Sequence, residues 1–283
     1  MVDRHTRRTF ICGVSAAVAT GLAGCSDEQA GGGAGTPTRT EPETDAAETT
    51  TEEYRNGVEP DANVSVAVPE GGATLTNPSV QWRATAEGVT IEAAGEVTSG
   101  AGHYHVIVDT DPVTPGETIP TDDAHIHYGT GQQDGVLELE PGEHTLHLQV
   151  GDGAHTAMAL TDSVDVTVSD EASLSVETSL DGSVVEWEAS AENYTIGPTS
   201  DGVASNTGHL HAIIDTDPVP VGEVIPSDAR HVHYGDGSTS GSLDIAEQLG
   251  DAYESGEHTV HFQIASATHR ATALTASETV TTE

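Results

Sequence analysis

Residues 103–129 read HYHVIVDTDPVTPGETIPTDDAHIHYG, and residues 209–235 read HLHAIIDTDPVPVGEVIPSDARHVHYG. Seventeen of these 27 positions are identical at an offset of 106 residues. Self-similarity at a fixed spacing is the sequence signature of a repeated structural unit. We therefore predict that the chain contains two tandem modules with the same fold, over residues 61–169 and 171–283.

The repeat extends beyond these segments in both directions. Upstream, Val80-Gln81-Trp82 corresponds to Val185-Glu186-Trp187. Downstream, residues 142–147 correspond to residues 256–261, now at an offset of 114. The eight additional residues of the second copy fall within IAEQLGDAY, residues 245–253, and predict one short helical turn.

Apolar and polar side chains alternate along short segments such as Val64-Ser65-Val66-Ala67-Val68 and Val164-Asp165-Val166-Thr167-Val168. This period of two predicts β-strands with one buried face. Clusters of Gly, Pro, Asn and Asp separate the segments, and no stretch keeps a helical period. The predicted fold class is all-β: two tandem immunoglobulin-like antiparallel β-sandwich modules with about seven or eight strands each. The paired cysteines of immunoglobulin domains are absent, so the likeness is one of architecture.

The charge of the chain is extreme. It carries 47 acidic and 8 basic side chains, all eight of them arginine, for a formal net charge of -39. A surface of this sign repels nucleic acid and anionic headgroups, which excludes nucleic acid as a partner and phosphate binding as a role. Self-repulsion of this size destabilises a compact state unless salt screens it, so the composition predicts a halophile-type protein.

The first 24 residues predict an export signal. Thr6-Arg7-Arg8-Thr9-Phe10-Ile11 forms a twin-arginine motif, and the apolar run after it is shorter than the roughly 20 residues needed to cross a bilayer. Leu22-Ala23-Gly24-Cys25 resembles a lipoprotein cleavage box. We expect Cys25 to carry the lipid and to anchor the protein at the extracellular face of the cell membrane. Residues 25–60 are rich in Gly, Thr, Pro and Glu and predict a disordered acidic linker.

Histidine is the second unusual feature of the composition, with 15 residues. Apart from His5 in the signal, every histidine of one module has a counterpart in the other, although neighbours such as Tyr104 and Leu210 differ. The seven pairs are His103/His209, His105/His211, His125/His231, His127/His233, His144/His258, His147/His261 and His155/His269.

Strand geometry predicts that several of these histidines meet. Side chains two positions apart in a strand project from the same face, so each His-x-His pair offers two imidazoles roughly 6–7 Å apart at the backbone. His147 projects from the face opposite to His144, so His147 and its counterpart are doubtful members. Imidazole ligation without a thiolate suits a divalent transition metal, Zn or Cu. The candidate metal ligands are His103, His105, His125, His127, His144, His155, His209, His211, His231, His233, His258 and His269.

An acidic turn also recurs, as Asp109-Thr110-Asp111-Pro112 and Asp215-Thr216-Asp217-Pro218. A carboxylate at this place can orient a ligating imidazole or contribute to a Ca²⁺ site. Aspartate before proline more often binds its own backbone in a turn, and we favour that interpretation.

These motifs resemble a family described as domain of unknown function 4399. The resemblance rests on Gly102-His103-Tyr104-His105, His125-Ile126-His127-Tyr128-Gly129 and Gly142-Glu143-His144-Thr145, with their counterparts in the second copy. The family usually has a third histidine in the first cluster, where this chain has Tyr104 and Leu210. The second copy also lacks the aspartate that stands three residues before His155. The resemblance implies an exported β-domain and brings no established activity.

Three functions remain open at this point. The first is a cell-surface lipoprotein whose modules bind a divalent transition metal for capture or delivery. The second is a metal-free envelope or adhesion module with structural or pH-sensing histidines. The third is a cupin-like metalloenzyme, because His103-x-His105 with Pro141-x-x-His144 resembles a cupin metal site, although the expected glutamate is missing. We assign no catalytic residue and favour a function other than an enzyme, and the sequence does not identify a protein partner.

Overall fold

The computed structural model describes residues 54–283, so the predicted signal over residues 1–24, Cys25 and the linker up to residue 53 lie outside the described residues. The described chain is all-β, as predicted, and each half forms its own pair of sheets. The strands of the first half are β1 (Asn63–Val68), β2 (Ala73–Leu75), β3 (Ser79–Glu87), β4 (Thr90–Ile91), β5 (Ala101–Val108), β6 (His125–Tyr128), β7 (Asp134–Glu138), β8 (Gly142–Gly151) and β9 (Ala157–Val168). Those of the second half are β10 (Ser173–Asp181), β11 (Val184–Glu192), β12 (Thr195–Ile196), β13 (Thr207–Ile214), β14 (His231–Tyr234), β15 (Ser240–Asp244), β16 (Glu257–Ala265) and β17 (Ala271–Thr281).

The two halves share one topology, except that β2 has no counterpart among the strands of the second half. In the first module β1, β3 and β7 form the small sheet, and β2, β9, β8, β5 and β4 form the large sheet, with β6 also paired to β5. In the second module the small sheet is β10, β11 and β15, and the large sheet is β12, β13, β16 and β17 with β14 on β13. Most neighbours are antiparallel, as predicted, but β2–β9, β4–β5 and β12–β13 are parallel. The prediction missed these pairs because alternation within one strand carries no information about the direction of its neighbour.

Each pair of sheets encloses an apolar core, which confirms the β-sandwich. Trp82 from β3 meets Tyr104 from β5 edge to face, with ring centroids 6.0 Å apart. In the second module Trp187 from β11 packs on Phe262 from β16 at 5.5 Å. Because aromatic side chains remove more surface from water than any others, these contacts between sheets anchor cores that are otherwise built from Val, Leu, Ile and Ala.

The central strand of each large sheet is buried on both faces. Tyr104 and Val106 of β5 point into the sandwich, whereas His103 and His105 point outward beneath residues 109–124. The side chain of Gln149, on β8, holds this covering loop: its Nε2 donates to the Val113 carbonyl (2.7 Å) and its Oε1 accepts from the Val113 N–H (2.9 Å). The outer face of the sheet therefore carries a second, polar interior.

The predicted helical turn is confirmed as α1 (Ile245–Leu249), followed by a 3₁₀ turn at Gly250–Ala252; a further 3₁₀ turn covers Thr199–Asp201. Asp244 caps α1, because its side chain accepts a hydrogen bond from the Glu247 N–H. Among residues 54–283 no helix has the length and apolar character needed to span a membrane.

The end of the predicted linker packs against the first module. Val58 is buried in the core, and the Tyr54 hydroxyl donates to Asp152 Oδ2 at 2.6 Å. The Asn56 side-chain amide donates to the carbonyls of Thr98 and Ala101. The expectation of disorder over residues 25–60 therefore does not hold for residues 54–60. The predicted linker has a low average apolar content, but a few of its side chains still pack on the first module.

Hydrogen bonds also tie the two modules to each other. Asn206 of the second module accepts from the Thr76 N–H and donates to the Thr74 carbonyl, both at 2.9 Å. Nearby, Gln81 Nε2 donates to the Tyr194 hydroxyl oxygen at 2.7 Å, and both side chains are buried. Buried polar contacts of this kind are directional, so they fix how one module meets the other.

Candidate metal centre

Four histidines of the first module converge beneath the covering loop. His103 and His105 come from β5, His127 lies directly opposite His105 on β6, and His155 comes from the turn between β8 and β9. The Nε2 atoms of His103 and His105 are 3.0 Å apart, and those of His127 and His155 are 3.2 Å apart. All six ring-to-ring distances lie between 4.7 and 5.8 Å.

The second module repeats this cluster with His209, His211, His233 and His269. The Nε2 atoms of His209 and His211 are 2.9 Å apart, and the ring centroids of the four lie 4.7 to 5.7 Å from one another. Two sites with the same members, built from strands that have diverged in sequence, show that the arrangement belongs to the fold.

The spacing of the ring nitrogens matches a coordination shell. A tetrahedral ion with metal–nitrogen bonds of about 2.0–2.1 Å separates its ligand nitrogens by roughly 3.3 Å. The nearest Nε2 pairs lie at 2.9 to 3.2 Å. One ring nitrogen from each of His103, His105 and His127 can be chosen so that all lie within 4.8 Å of one another, and the same holds for His209, His211 and His233. Each set of histidines could therefore hold one metal ion.

Burial keeps the inner histidines neutral. His103 and His105 are 0% and 1% exposed. Desolvation, helped by the neighbouring imidazoles, lowers the pKa of His103 to about 4 and that of His105 to about 3. The same causes lower the pKa of His209 and of His211 to about 3. A neutral imidazole is the form that binds a metal, so these side chains need no deprotonation at neutral pH.

The outer nitrogens of the inner pair have no protein partner. The Nδ1 atoms of His103 and His105 are buried and find no hydrogen bond among residues 54–283, and their counterparts His209 and His211 repeat this. Buried polar atoms are nearly always paired, with water or an ion where the protein supplies nothing. An ion held by the converging Nε2 atoms would leave these Nδ1 atoms without a partner, so they do not bear on metal binding.

The backbone is strained where the fourth histidine enters. His155 has φ of +66° and His269 has φ of +65°, in the left-handed region that side chains other than glycine seldom adopt. Such a conformation costs about 1–2 kcal/mol and persists only where surrounding contacts impose it. In both modules the strain falls on the residue that closes the cluster, and sequence spacing gave no sign of it.

A glycine makes room for the third histidine. The ring of His127 lies over Gly129, and that of His233 lies over Gly235, so closely that any side chain at either glycine would overlap the imidazole. The glycine in the recurring His-x-His-Tyr-Gly motif is therefore part of the site. The sequence displayed this signal, but only the direction of the ring reveals its purpose.

The family model described as Domain of unknown function (DUF4399) matches residues 82–169 and 188–283. The chain belongs to this family. Each matched region contains one complete four-histidine cluster, so the cluster is a feature of both DUF4399 modules. No curated protein matches the chain.

Solved structures that the chain resembles include the fibronectin(III)-like modules of Clostridium thermocellum CbhA, at 12% identity and a TM-score of 0.25, over 78% of this chain and 94% of that one. The apo structure of Bacteroides uniformis beta-glucuronidase 3 matches at 8% identity and a TM-score of 0.24, over 79% and 25% of the two chains. A tetra-tandem repeat in the extending region of a large adhesion protein matches at 17% identity and a TM-score of 0.24, over 78% and 49%.

Two predicted ligands of each DUF4399 module are not brought to the cluster. His125 shares a face with His127, but its Nδ1 bonds Asp122 Oδ1 at 2.7 Å, and His231 bonds Asp228 in the same way at 2.8 Å. The sequence-based prediction assumed that two histidines on one strand face bind the same ion. Neither His125 nor His231 belongs to the groups whose ring nitrogens converge, and in each case the aspartate three residues away fixes the orientation of the ring.

His144 and its counterpart His258 are also held elsewhere. His144 Nδ1 bonds Asp109 Oδ2 and its Nε2 bonds the Glu140 carbonyl, both at 2.7 Å. His258 makes the same two contacts with Asp215 and the Glu254 carbonyl, at 2.7 and 2.9 Å. Both ring nitrogens face acceptors, so each histidine ties the acidic turn to the start of β8 or β16. At His144 the arrangement suits a protonated imidazole.

The doubtful pair, His147 and His261, lies outside the clusters as well. His261 Nδ1 bonds the Ser277 hydroxyl at 2.6 Å. The acidic turn does not use Asp109 to bond its own backbone, contrary to the interpretation favoured from sequence. Asp109 Oδ1 accepts from the Thr145 N–H of β8 at 2.9 Å, and its other oxygen binds His144. Each module therefore has four clustered histidines. Its other three histidines bond nearby residues or face outward.

The inner pair predicts a distinct response of the metal-free protein to acid. The folded-state pKa of His105 lies near 3, below the unfolded value of about 6.5, so between these pH values the unfolded chain binds a proton that the folded chain refuses. Stability therefore falls as the pH drops through this window, by up to about 1.4 kcal/mol per pH unit for each such histidine. Chelator-treated wild type and His105→Gln are compared by urea unfolding in molar salt, and wild type should lose more stability on acidification. Parallel curves would contradict the assignment.

His144 predicts the opposite dependence. Burial alone would lower its pKa, but the Glu140 carbonyl and the Asp109 carboxylate outweigh burial and raise the pKa. Its contribution is therefore complete below the unfolded pKa of about 6.5 and is lost as the pH rises through the folded value. Because Asp109 is half exposed, we expect a coupling on the order of 1 kcal/mol. A double-mutant cycle with His144→Gln and Asp109→Asn should show this coupling at pH 5.5 and a smaller one at pH 9.

Proposed function

We propose that each DUF4399 module binds one divalent transition-metal ion, Zn or Cu, through its four clustered histidines. The observation that carries the proposal is the convergence of the imidazoles, with nearest Nε2 pairs 2.9 to 3.2 Å apart, in both modules. Imidazole ligands suit Zn²⁺ and Cu²⁺ and suit Mg²⁺ or Ca²⁺ poorly, because the latter prefer oxygen.

The exposure of the ligands supports reversible capture or delivery. The inner pair is fully buried, whereas His127 and His233 are exposed and His155 and His269 are half-buried. An ion can therefore enter or leave from the side of the outer pair, while the inner pair keeps a neutral, preorganised half of the site. A purely structural site would be closed to solvent on all sides.

The metal-free alternative is favoured by one specific observation. His125, His144 and their counterparts have carboxylate partners and serve structure. That role explains these two positions in each module. It does not explain four imidazoles that face one another with their Nε2 atoms close together. We therefore assign structure to the paired histidines and metal binding to the clustered ones.

The proposed setting is the extracellular face of the cell membrane, with the protein tethered through lipid at Cys25. Its support is the twin-arginine motif around Arg7 and Arg8, the Leu22-Ala23-Gly24-Cys25 box and the acidic composition, all read from the sequence. An exported site built from imidazoles needs no reduced thiol to bind its ion, which suits an oxidising exterior.

The first test is metal stoichiometry. Residues 54–283 are purified in molar salt, freed of metal and titrated with Zn²⁺ and separately with Cu²⁺. We expect two ions per chain and a rise in Tm on binding, because a ligand that binds only the folded state stabilises it. His127→Ala should bind one ion and the His127→Ala/His233→Ala variant none. His125→Ala, two residues from His127 on the same strand, should still bind two. Binding that persists unchanged in the double variant would refute the proposal.

The second test concerns the membrane anchor. Replacement of Cys25 by Ala removes the only attachment atom that the cleavage box offers, so the full chain should shift from the membrane fraction to the medium. Replacement of Arg7 and Arg8 by Lys should instead retain the precursor inside the cell, because the export machinery reads the arginine pair. Unchanged fractionation of both variants would contradict the proposed location.

A further inference from the structure

The turns that carry the fourth histidine differ between the two modules. Each turn holds its histidine at positive φ, so each needs contacts that impose the strained conformation. Asp152 stands three residues before His155, whereas Ser266 stands three residues before His269. Different side chains therefore stabilise the same strained backbone conformation in the two turns.

In the first module one buried aspartate holds the turn. Asp152 is 2% exposed, and its Oδ1 accepts from the N–H groups of Ala154 and Thr156, both at 2.9 Å. These donors flank His155 on either side. Its Oδ2 accepts from the Tyr54 hydroxyl at 2.6 Å. The Asp152 carboxylate thus hydrogen-bonds both neighbours of His155. All of these contacts lie within the first module and the segment leading into it.

In the second module serine does less. Ser266 Oγ bonds the Arg270 N–H at 3.2 Å and the Thr268 hydroxyl at 3.1 Å, distances near the long end for hydrogen bonds. A neutral hydroxyl also forms weaker bonds than a carboxylate does. The two residues that flank His269 therefore lack the charged partner that their counterparts have within the first module.

A carboxylate from the other module contacts both flanking residues. Asp134, at the start of β7 in the first module, accepts from the Thr268 hydroxyl at 2.7 Å and from Arg270 Nε at 3.3 Å. Arg270 also donates through Nη1 to the Gly222 carbonyl, in the loop that covers the second cluster. Both members of the Asp134–Arg270 ion pair are largely shielded from solvent, at 23% and 17% exposed, so water weakens it less than a surface pair.

We propose that Asp134 is a positioning residue for the second metal site, supplying across the module interface the carboxylate that Asp152 supplies within the first module. It acts through Thr268 and Arg270 and does not touch the ion. The dependence runs in one direction, because the position equivalent to Asp134 in the second module is Ser240. The expected effect on affinity rests on the proposed metal binding. On this inference the second site depends on the first module, whereas the first site does not depend on the second module.

The test isolates each site in turn. His127→Ala leaves the second site and His233→Ala leaves the first, and Asp134→Ala is added to each. Groups that orient a metal ligand typically contribute 10–100-fold in affinity. We expect Asp134→Ala to weaken Zn²⁺ binding at the second site by about tenfold or more and to leave the first unchanged. Glu138→Ala, at the exposed far end of the same strand, is the matched control and should affect neither.

A rescue separates positioning from general damage to the interface. Ser266→Asp places in the second module the residue that suffices in the first, so it should restore affinity in the Asp134→Ala background. Equal loss at both sites, no loss at the second site, or failure of the rescue would overturn the proposal. Asp134→Asn, which keeps the shape and removes the charge, should give the same order of effects with smaller amplitude.

Hydrogen exchange tests the contact without metal. The Ile225 N–H donates to the His269 carbonyl and the Ile119 N–H donates to the His155 carbonyl, so each reports on one turn. Asp134→Ala should speed exchange at Ile225 and leave Ile119 unchanged. If wild type takes up no Zn²⁺, the metal proposal fails, and exchange still decides whether Asp134 holds the turn. Equal protection of Ile225 in wild type and variant would overturn the role assigned to Asp134.

Discussion

The burial of one strand on both faces is the constraint on which the site depends. On β5 and β13 alternate side chains enter the apolar core, and the residues between them lie beneath a covering loop. Imidazoles held there lose water without gaining carboxylate partners, which lowers their pKa and keeps them neutral. A second polar interior thus forms outside the sandwich, with nitrogen donors directed at one another.

Strain and space complete the site around that strand. His155 and His269 adopt a backbone conformation that costs energy. Gly129 and Gly235 have no side chain, so a histidine ring can lie over each of them. Both features oppose stability considered by itself. Their recurrence in two modules that have otherwise diverged is understandable if the four-histidine arrangement, and the ion we propose for it, is what the fold maintains.

The same residue type serves two purposes within 50 residues of chain. His144 and His125 each face a carboxylate, whereas His103 and His105 face other imidazoles. The Glu140 carbonyl and the Asp109 carboxylate raise the pKa of His144. Burial among neutral imidazoles instead lowers the pKa of His103 and His105 and leaves them in the form that binds a metal. The number of histidines therefore overestimates the number of clustered ones. The electrostatic surroundings of each ring separate the clustered histidines from those with structural partners.

The sequence by itself determined the duplication, the all-β class, the short helix of the second module and the presence of four cluster members among six candidates per module. These follow from local patterns: identity at a fixed offset, a period of two and residue type. Only the tertiary structure decided which histidines meet, that residues 54–60 pack on the first module and that Asp134 reaches the turn of His269. Such contacts join residues as far as 136 positions apart, and no local pattern encodes which distant partner a side chain will meet.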